Sequence, residues 1–263
     1  MILVEIKEGV KFLTLKRPEK KNAIDIVDGT DLRNEILKSY SEDDVICVVL
    51  TGYGDFFSSG ADLSSPQASG IAPEQSSIEK KIDDFHNIIR SIYENPKPVI
   101  AKVNGPAIGF GCEIALICDF KIVSDSAYFS ELFSKRGMIP DGGGTFFITR
   151  AIGMTKALEL FAFGEKLTSY ESERLGLVNK VVRKEELDDF FSQFIEKIRK
   201  IPKGVFSVIK RLVWSGSFES FDEHLKKVKF LQANQLLKAE FFEGLQAFFQ
   251  KREPDFASVK IKF

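Results

Sequence analysis

The sequence has little of what metal sites and disulfide frameworks require. Of its 263 residues, three are cysteine and two are histidine. Cys47, Cys112 and Cys118 lie inside apolar segments, so we expect buried free thiols and a reducing compartment. His86 and His224 have no ligand-spaced partner, so we expect no metal site and give both histidines surface or packing roles.

Net charge and long apolar runs are also absent. The 37 Lys and Arg residues nearly balance the 38 Asp and Glu residues, which gives no general field for nucleic acid or an anionic membrane. No apolar run is long enough to span a bilayer, and the first residues do not resemble a secretory signal. The final three residues are not the usual peroxisomal address. We therefore expect a cytoplasmic protein with no nucleic-acid or membrane partner.

The pattern along the chain predicts an α/β fold. Residues 2–6 and 10–15 are two short strands of a predicted hairpin. Three further runs are apolar throughout, which predicts strands buried on both faces. These runs occupy residues 45–50, 99–103 and 120–123. Apolar residues recur every three to four positions over 78–92, which predicts an amphipathic helix, and the polar stretch 64–77 predicts a loop over a site.

The chain after about Lys184 has a largely helical pattern. Its last helical segment carries aromatic and aliphatic residues at Phe230, Leu231, Leu236, Phe241, Leu245 and Phe248. This is more apolar surface than a small helical tail buries against itself, so it predicts a subunit interface. The alternative is that these helices fold back onto their own core. We expect a core region at 1–198 and a helical oligomerisation region at 199–263.

Three glycine-rich segments, 54–63, 103–113 and 137–145, follow or precede predicted strands and helices. A glycine before Ala61 allows a sharp turn, and glycines where an apolar helix begins allow close approach to a ligand. The free N–H groups and positive end of that helix favour developing negative charge. Glu113 lies about one turn along the same helix, where a carboxylate is a poor structural choice and a useful catalytic one.

The order and spacing of the three segments resemble the crotonase (enoyl-CoA hydratase/isomerase) superfamily. The segments 15–23, 167–182 and 243–252 are similar to other signatures of that family. The resemblance implies a spiral of ββα turns followed by a C-terminal helical trimerisation region, with trimers that often pair into hexamers. It also implies an acyl-CoA enzyme of fatty acid metabolism that stabilises a thioester enolate and needs no further cofactor.

The resemblance assigns roles residue by residue. The backbone N–H groups of Ala61 and Phe110 would form an oxyanion hole for the thioester oxygen. Phe57 and Phe133 would line the acyl pocket. The residues expected to contact coenzyme A are Arg17, Lys20, Lys21, Ala23, Gly60, Asp62, Leu63 and Lys251.

The catalytic carboxylates depart from the pattern of the family's hydratases. Those enzymes use two glutamates to activate a water; the first matches Glu113, but the second position is occupied by Phe133. Asp141 matches the carboxylate of isomerase-type members, where one group moves a proton between carbons 2 and 4. We therefore favour isomerisation of 3-enoyl-CoA to 2-enoyl-CoA, with Asp141 and Glu113 as candidate acid/bases. The alternatives are a hydratase that uses Glu113 with Asp141 or Glu131, and a catalytically silent acyl-CoA-binding protein.

Overall fold

The computed structural model describes residues 1–64, 74–256 and 258–259. Contacts within the chain divide it into two compact units, one of residues 1–95 and 99–191 and the other of residues 96–98 and 192–263. The sequence-based boundary after residue 198 falls inside the second unit. Most of the predicted loop 64–77 lies outside the described residues, and a helix already begins at Gln75.

Among the described residues, six strands of the first unit form a large sheet. They are β1 (Ile2–Lys7), β2 (Val10–Leu15), β3 (Cys47–Gly52), β4 (Val99–Val103), β6 (Phe120–Ser124) and β9 (Lys180–Val182). The order is β1-β2-β3-β4-β6-β9; the first pair is antiparallel and the other pairs are parallel. Glu8 and Gly9 both have positive φ, which is the turn geometry that matches the twist of a tight hairpin.

A second, smaller sheet continues the same turns of the chain. It contains β5 (Ala107–Ile108), β7 (Tyr128–Ser130) and β8 (Leu167–Thr168). Single parallel bridges between Ile24 and Ala61 and between Ser58 and Ala107 extend it. Each turn therefore gives one strand to the large sheet and, a few residues later, a short segment to the second layer. This repeat is the α/β spiral predicted from the sequence.

Helices connect the strands of the first unit and make up most of the second unit. Their ranges are α1 (Ile26–Lys38), α2 (Gln75–Tyr93), α3 (Phe110–Ile117), α4 (Gly144–Phe163, broken at Gly153), α5 (Ser169–Arg174), α6 (Leu187–Arg199), α7 (Lys203–Ser215), α8 (Phe221–Gln235) and α9 (Ala239–Gln250). The amphipathic pattern over 78–92 is confirmed as part of α2. None of the helices described is both long and apolar enough to cross a membrane.

Helix α3 occupies the centre of the first unit, and all eight of its residues are buried. A helix that is apolar on every side has no solvent face and must be enclosed. Glu113 is the one charged residue within this helix. Glu113 lies in the core, one turn from the N-terminus of α3, so the polar groups around it determine its role.

Candidate active site

Two glycine turns meet at the N-terminus of α3. Gly60, with φ 94°, precedes Ala61, and Gly109, with φ 53°, precedes Phe110. A Cβ added to Gly60 would lie 2.7 Å from the Ile108 carbonyl oxygen and 3.2 Å from the Phe110 nitrogen. Glycine is therefore required at position 60 both by backbone conformation and by the close approach of the second turn.

The N–H groups of Ala61 and Phe110 have no acceptor within the described part of the chain. The bridge beside Ala61 uses its neighbours: Ile24 donates to the Gly60 carbonyl (2.8 Å), and Asp62 donates to the Ile24 carbonyl (2.9 Å). The Ala61 N–H therefore points away from Ile24. Phe110 is the first residue of α3, so its N–H has no partner inside the helix. Two adjacent unpaired N–H groups of this kind can stabilise an anionic oxygen.

Arg17 ties together the segments that carry the first of these turns. Its guanidinium donates to the carboxylates of Asp25 (3.2 Å), Asp28 (3.3 Å) and Asp62 (3.0 Å) and to the Ala23 carbonyl (3.2 Å). Asp62 directly follows Ala61, so this ion pair restrains the turn. The Arg17 guanidinium therefore binds three carboxylates and one backbone carbonyl of the protein, and its contact with coenzyme A stays a prediction.

The other predicted coenzyme A residues differ in their accessibility. Lys20 is exposed, with its Nζ bonded to the Ser64 hydroxyl and 3.6 Å from Asp62. Lys21 is also exposed, and its Nζ lies 5.2 Å from the centre of the Phe56 ring. Leu63 is exposed, whereas Ala23 and Gly60 are buried. Lys251 belongs to the second unit, where it is exposed and ends α9 in a left-handed conformation.

Glu113 fastens the glycine-rich loop 141–144. Its two carboxylate oxygens accept hydrogen bonds from the Gly142 N–H (2.8 Å) and the Gly144 N–H (2.7 Å). A Cβ would lie 2.4 Å from Oε2 if added at Gly142 and 2.7 Å from Oε1 if added at Gly144. Burial raises the pKa of Glu113 to about 7; the two N–H donors oppose this shift, and the charge of Asp141 adds to it.

Asp141 begins this loop and remains partly exposed. Its carboxylate makes no hydrogen bond or ion pair with another side chain of the described residues. Burial raises its pKa, while its own N–H and the charge of His86 act in the opposite direction. The ring Nε2 of His86, on α2, lies 2.7 Å from the Asp141 carbonyl oxygen. A surface or packing role was expected for this histidine, because nothing in its spacing links it to a loop 55 residues away.

A third carboxyl group, that of Glu131, lies behind the first two. Glu131 directly follows β7, and its side chain is fully buried. Neither of its oxygens accepts a hydrogen bond from an N–H or O–H group of the described residues. Burial raises its pKa well above the usual range, and the charge of Glu113 raises it further. The Cys112 thiol lies beside this carboxyl group, and burial likewise raises the pKa of that thiol.

The comparisons with known proteins agree with this geometry. A family model described as enoyl-CoA hydratase/isomerase matches residues 5–259. The chain belongs to this family. It is 33% identical to a probable enoyl-CoA hydratase of Rhodobacter capsulatus and 35% identical to a 1,2-epoxyphenylacetyl-CoA isomerase of Escherichia coli, each over 97% of both chains. A crystal structure of an enoyl-CoA hydratase from Polaromonas sp. JS666 superposes with a TM-score of 0.91 at 30% identity, covering 97% of this chain and 98% of that one.

Membership of the enoyl-CoA hydratase/isomerase family confirms the predicted enzyme class and crotonase fold, with acyl-CoA as the substrate class. Phe133, which occupies the position of the hydratases' second glutamate, is buried. Its ring edge is 3.9 Å from where a Cβ of Gly109 would lie, at the start of α3. Phe57 has no exposed surface and packs in the core. The Phe110 ring meets Phe85 of α2 edge to face, with ring centres 4.7 Å apart.

Proposed function

We propose that this family member moves a double bond, converting 3-enoyl-CoA to 2-enoyl-CoA in fatty acid metabolism, with Asp141 as the acid/base. One observation carries the proposal. Of the three carboxyl groups at the site, Asp141 alone is partly exposed, while Glu113 and Glu131 are fully enclosed. A general base must reach the proton that it removes, so exposure and freedom from other partners favour Asp141.

The chemistry follows from the two turns. The Asp141 carboxylate takes a proton from carbon 2 of the 3-enoyl thioester, and the negative charge moves onto the thioester oxygen. The N–H groups of Ala61 and Phe110 would stabilise that oxygen, and one such donor is worth about 3–4 kcal/mol. Return of the same proton at carbon 4 leaves the double bond between carbons 2 and 3, conjugated with the thioester. No water is consumed.

Hydration is the second candidate, and two features argue against it. A hydratase needs carboxylates that hold and activate a water, whereas the second such position carries the phenyl ring of Phe133. The first, Glu113, is enclosed and has each oxygen occupied by a backbone N–H of the 141–144 loop.

The proposal is tested with purified protein and two thioesters. Incubation with a 3-enoyl-CoA should produce the absorbance of a conjugated thioester, and Asp141→Asn should abolish that signal. The matched control is Asp83→Asn, an exposed aspartate of α2. Hydration of crotonyl-CoA without any isomerisation would reject the proposal in favour of a hydratase. Tight acyl-CoA binding without turnover of either thioester would identify a catalytically silent binding protein.

For the coenzyme A phosphates, we propose Lys20 and Lys21 as the contacts on the N-terminal side. Both are exposed and lie four and three residues before Ile24, which bridges to Ala61. Exposed cations attract phosphate with a strength that falls as salt increases. Replacing both lysines by glutamine should raise KM and weaken its dependence on ionic strength, with kcat little changed. An unchanged KM would contradict the assignment.

For assembly, we propose a homotrimer or hexamer that uses the helices of the second unit. Large apolar side chains of α8, α9 and the turn between them remain exposed, and Phe248 is 76% exposed. The others of this group are Phe221, Phe230, Leu237, Phe242 and Phe249. An exposed apolar surface of this extent marks an interaction site. Sedimentation equilibrium should give three or six times the chain mass, and Phe248→Glu with Phe249→Glu should lower it; a monomeric wild-type protein would contradict the proposal.

A further inference from the structure

Glu131 is a fully buried acid with no group to neutralise it. Neither oxygen accepts a hydrogen bond from an N–H or O–H group of the described residues, and no described Lys or Arg pairs with Glu131. The donor beside it is the weak S–H group of Cys112. Transferring an ionised carboxylate from water to such a place costs far more than a folded protein can sustain. A neutral carboxylic acid in the same place costs much less. The contacts of Glu131 therefore indicate that it carries its proton.

The neighbouring Glu113 has the opposite environment. Each of its oxygens accepts a hydrogen bond from a backbone N–H, and such bonds favour the ionised form. Two neighbouring carboxyl groups in a buried site do not both ionise readily. When one of them has two backbone N–H donors and the other has only a weak S–H donor, the single proton belongs on the group with the weaker donor. Geometry thus divides the roles, with Glu113 charged and Glu131 neutral.

The surroundings contain few other ionisable groups. Helix α3 contributes Cys112 and Glu113, and the loop 141–144 contributes Asp141. Helix α2 contributes His86, whose ring contacts the backbone of Asp141. His86, which can become a cation, therefore lies beside Asp141. The carboxyl groups of Glu113 and Asp141 would repel a negative charge on Glu131. A protonated Glu131 has an O–H to donate, and the Glu113 carboxylate and the Cys112 sulfur are both acceptors.

We propose that Glu131 is a positioning residue: a neutral carboxylic acid that keeps Glu113 ionised and so holds the 141–144 loop, which carries Asp141, in its active arrangement. The functional part of this inference rests on the isomerase proposal above. The chain of contacts is short. Glu131 acts on Glu113, and Glu113 accepts hydrogen bonds from the N–H groups of Gly142 and Gly144. Gly142 directly follows Asp141 in the chain.

The protonation state can be observed directly by infrared spectroscopy of the full-length protein. At pH 8 the wild type should show the carbonyl stretch of a protonated carboxylic acid. Glu131→Gln should remove that band, and Glu113→Gln should leave it in place. A wild-type protein without the band would overturn the proposal. So would a band that disappears with Glu113→Gln and persists in Glu131→Gln, because the proton would then sit on Glu113.

The positioning role is tested by a pair of substitutions that differ in one donor. Glu131→Met is neutral, fills a similar volume and cannot donate, so kcat should fall about tenfold, the value of a hydrogen bond to a charged group. Its acid limb in the pH profile should move to higher pH, because Glu113 loses support for its ionised form. Glu131→Gln keeps a neutral donor and should recover most of the loss. Identical pH profiles for wild type, Glu131→Met and Glu131→Gln would show that Glu131 only fills space.

The two parts of the experiment also separate this inference from the isomerase proposal. If the protein turned over no 3-enoyl-CoA, the infrared assignment of the proton would still be readable. The kinetic comparison would then be repeated with whichever thioester reaction the wild type catalyses. If isomerisation were observed and the infrared band did not depend on Glu131, this inference alone would fail.

Discussion

Two groups of charged residues flank the paired glycine turns, and they are built in opposite ways. In the arginine cluster (Arg17, Lys20, Asp25, Asp28 and Asp62), every carboxylate is paired with a cation. In the carboxyl cluster (Glu113, Glu131 and Asp141), the described residues supply no Lys or Arg partner. Hydrogen bonds from Ser64 and then from Arg17 lower the pKa of Asp62 to about 2, whereas burial raises the pKa of Glu113 to about 7.

The difference shows that the arginine cluster has a structural role and the carboxyl cluster a chemical role. Hydrogen bonds from Ser64 and Arg17 keep Asp62 ionised near neutral pH, so the arginine cluster fixes the backbone around Ala61. Burial raises the pKa of each member of the carboxyl cluster, so these groups can hold or move protons. The pKa of Asp62 is lowered, whereas the pKa values of the carboxyl cluster are raised. This difference identifies the carboxyl cluster as the one that exchanges protons. Three substitutions and one change of pH test this contrast.

The largest effect is expected for Asp141→Asn. Removal of a general acid/base costs typically about 10²–10⁴-fold, so kcat/KM for 3-enoyl-CoA should fall within that range. The amide keeps the size of the side chain and cannot take a proton. Steady-state kinetics with Asp83→Asn as control measure the effect. If Asp141→Asn retained more than a tenth of the activity while Glu113→Gln abolished it, Glu113 would be the acid/base.

The second effect concerns the contact between the loop and Glu113. Gly142→Ala places a methyl group where the Glu113 carboxylate lies, 2.4 Å from Oε2, so loop and carboxylate must separate. Displacement of a reacting group by about 1 Å can cost on the order of 10²-fold, and we expect a fall in kcat of that size. In a Glu113→Ala background only the 2.9 Å approach to the Phe110 ring remains, so Gly142→Ala should cost much less there. Additive effects in this double-mutant cycle would contradict a direct contact.

The third test uses pH, because activity and stability should change in opposite directions. Activity should fall as pH drops below about 7, since a protonated Glu113 loses its charge-assisted bonds to Gly142 and Gly144. Stability should change the other way. The folded-state pKa of Glu113 is raised from 4.5 to about 7, so the folded state binds more protons than the unfolded state in that window.

The sign follows from this excess of bound protons. Between the unfolded-state and folded-state pKa values, each step of one in pH changes the free energy of unfolding by about 1.4 kcal/mol. That free energy should therefore decrease by about 3 kcal/mol as pH rises from 4.5 to 7. Urea denaturation at pH 5 and pH 8, beside kcat/KM at the same pH values, measures both trends. Glu113→Gln should make the stability trend less steep, and the raised pKa values of Glu131 and Asp141 should account for the slope that remains. A wild-type protein whose activity and stability rise together would contradict the assignment of a raised pKa to Glu113.

The α/β arrangement and the glycine turns were predictable from local signals in the sequence, whereas the spiral arrangement came from the resemblance to the crotonase superfamily. Apolar runs identified β3, β4 and β6, and the glycines at 60 and 109 coincide with left-handed backbone that few other residues adopt. The partners of Arg17 and of Glu131 were not predictable in the same way. These residues lie on segments that strand pairing brings together. The spacing of residues along the chain does not indicate which buried side chains will contact each other.

Glu131 illustrates that limit. Counted from Gly137, the second glutamate of a hydratase falls at Phe133, so Glu131 is out of register for that role. The pairing of β5 with β7 nevertheless sets Ser130 opposite Ile108, next to the start of α3. Glu131 therefore lies beside Cys112 and Glu113 without matching any motif. His86 reaches the Asp141 carbonyl for a similar reason, since α2 packs against the ring of Phe110.

The smallest effect is expected in the arginine cluster, with Asp62→Asn. This change weakens the bonds of position 62 to Arg17, Lys20 and Ser64, so the Ala61 N–H should lose some of its alignment. We expect kcat to fall roughly threefold to tenfold, which corresponds to the net value of one or two hydrogen bonds. The matched control is Asp55→Asn, which removes an exposed ion pair with Lys184 away from the cluster.

Asp62→Asn should also leave a signature in acid. Because the folded-state pKa of Asp62 is lowered to about 2, its ionised form contributes stability above the unfolded-state pKa, near 4, and this contribution is lost as pH falls toward 2. The variant should therefore have a lower melting temperature than wild type at pH 6, and the difference should shrink between pH 4 and pH 2. A difference that stays constant over this range would mean that the stability comes from packing and not from the charge of Asp62.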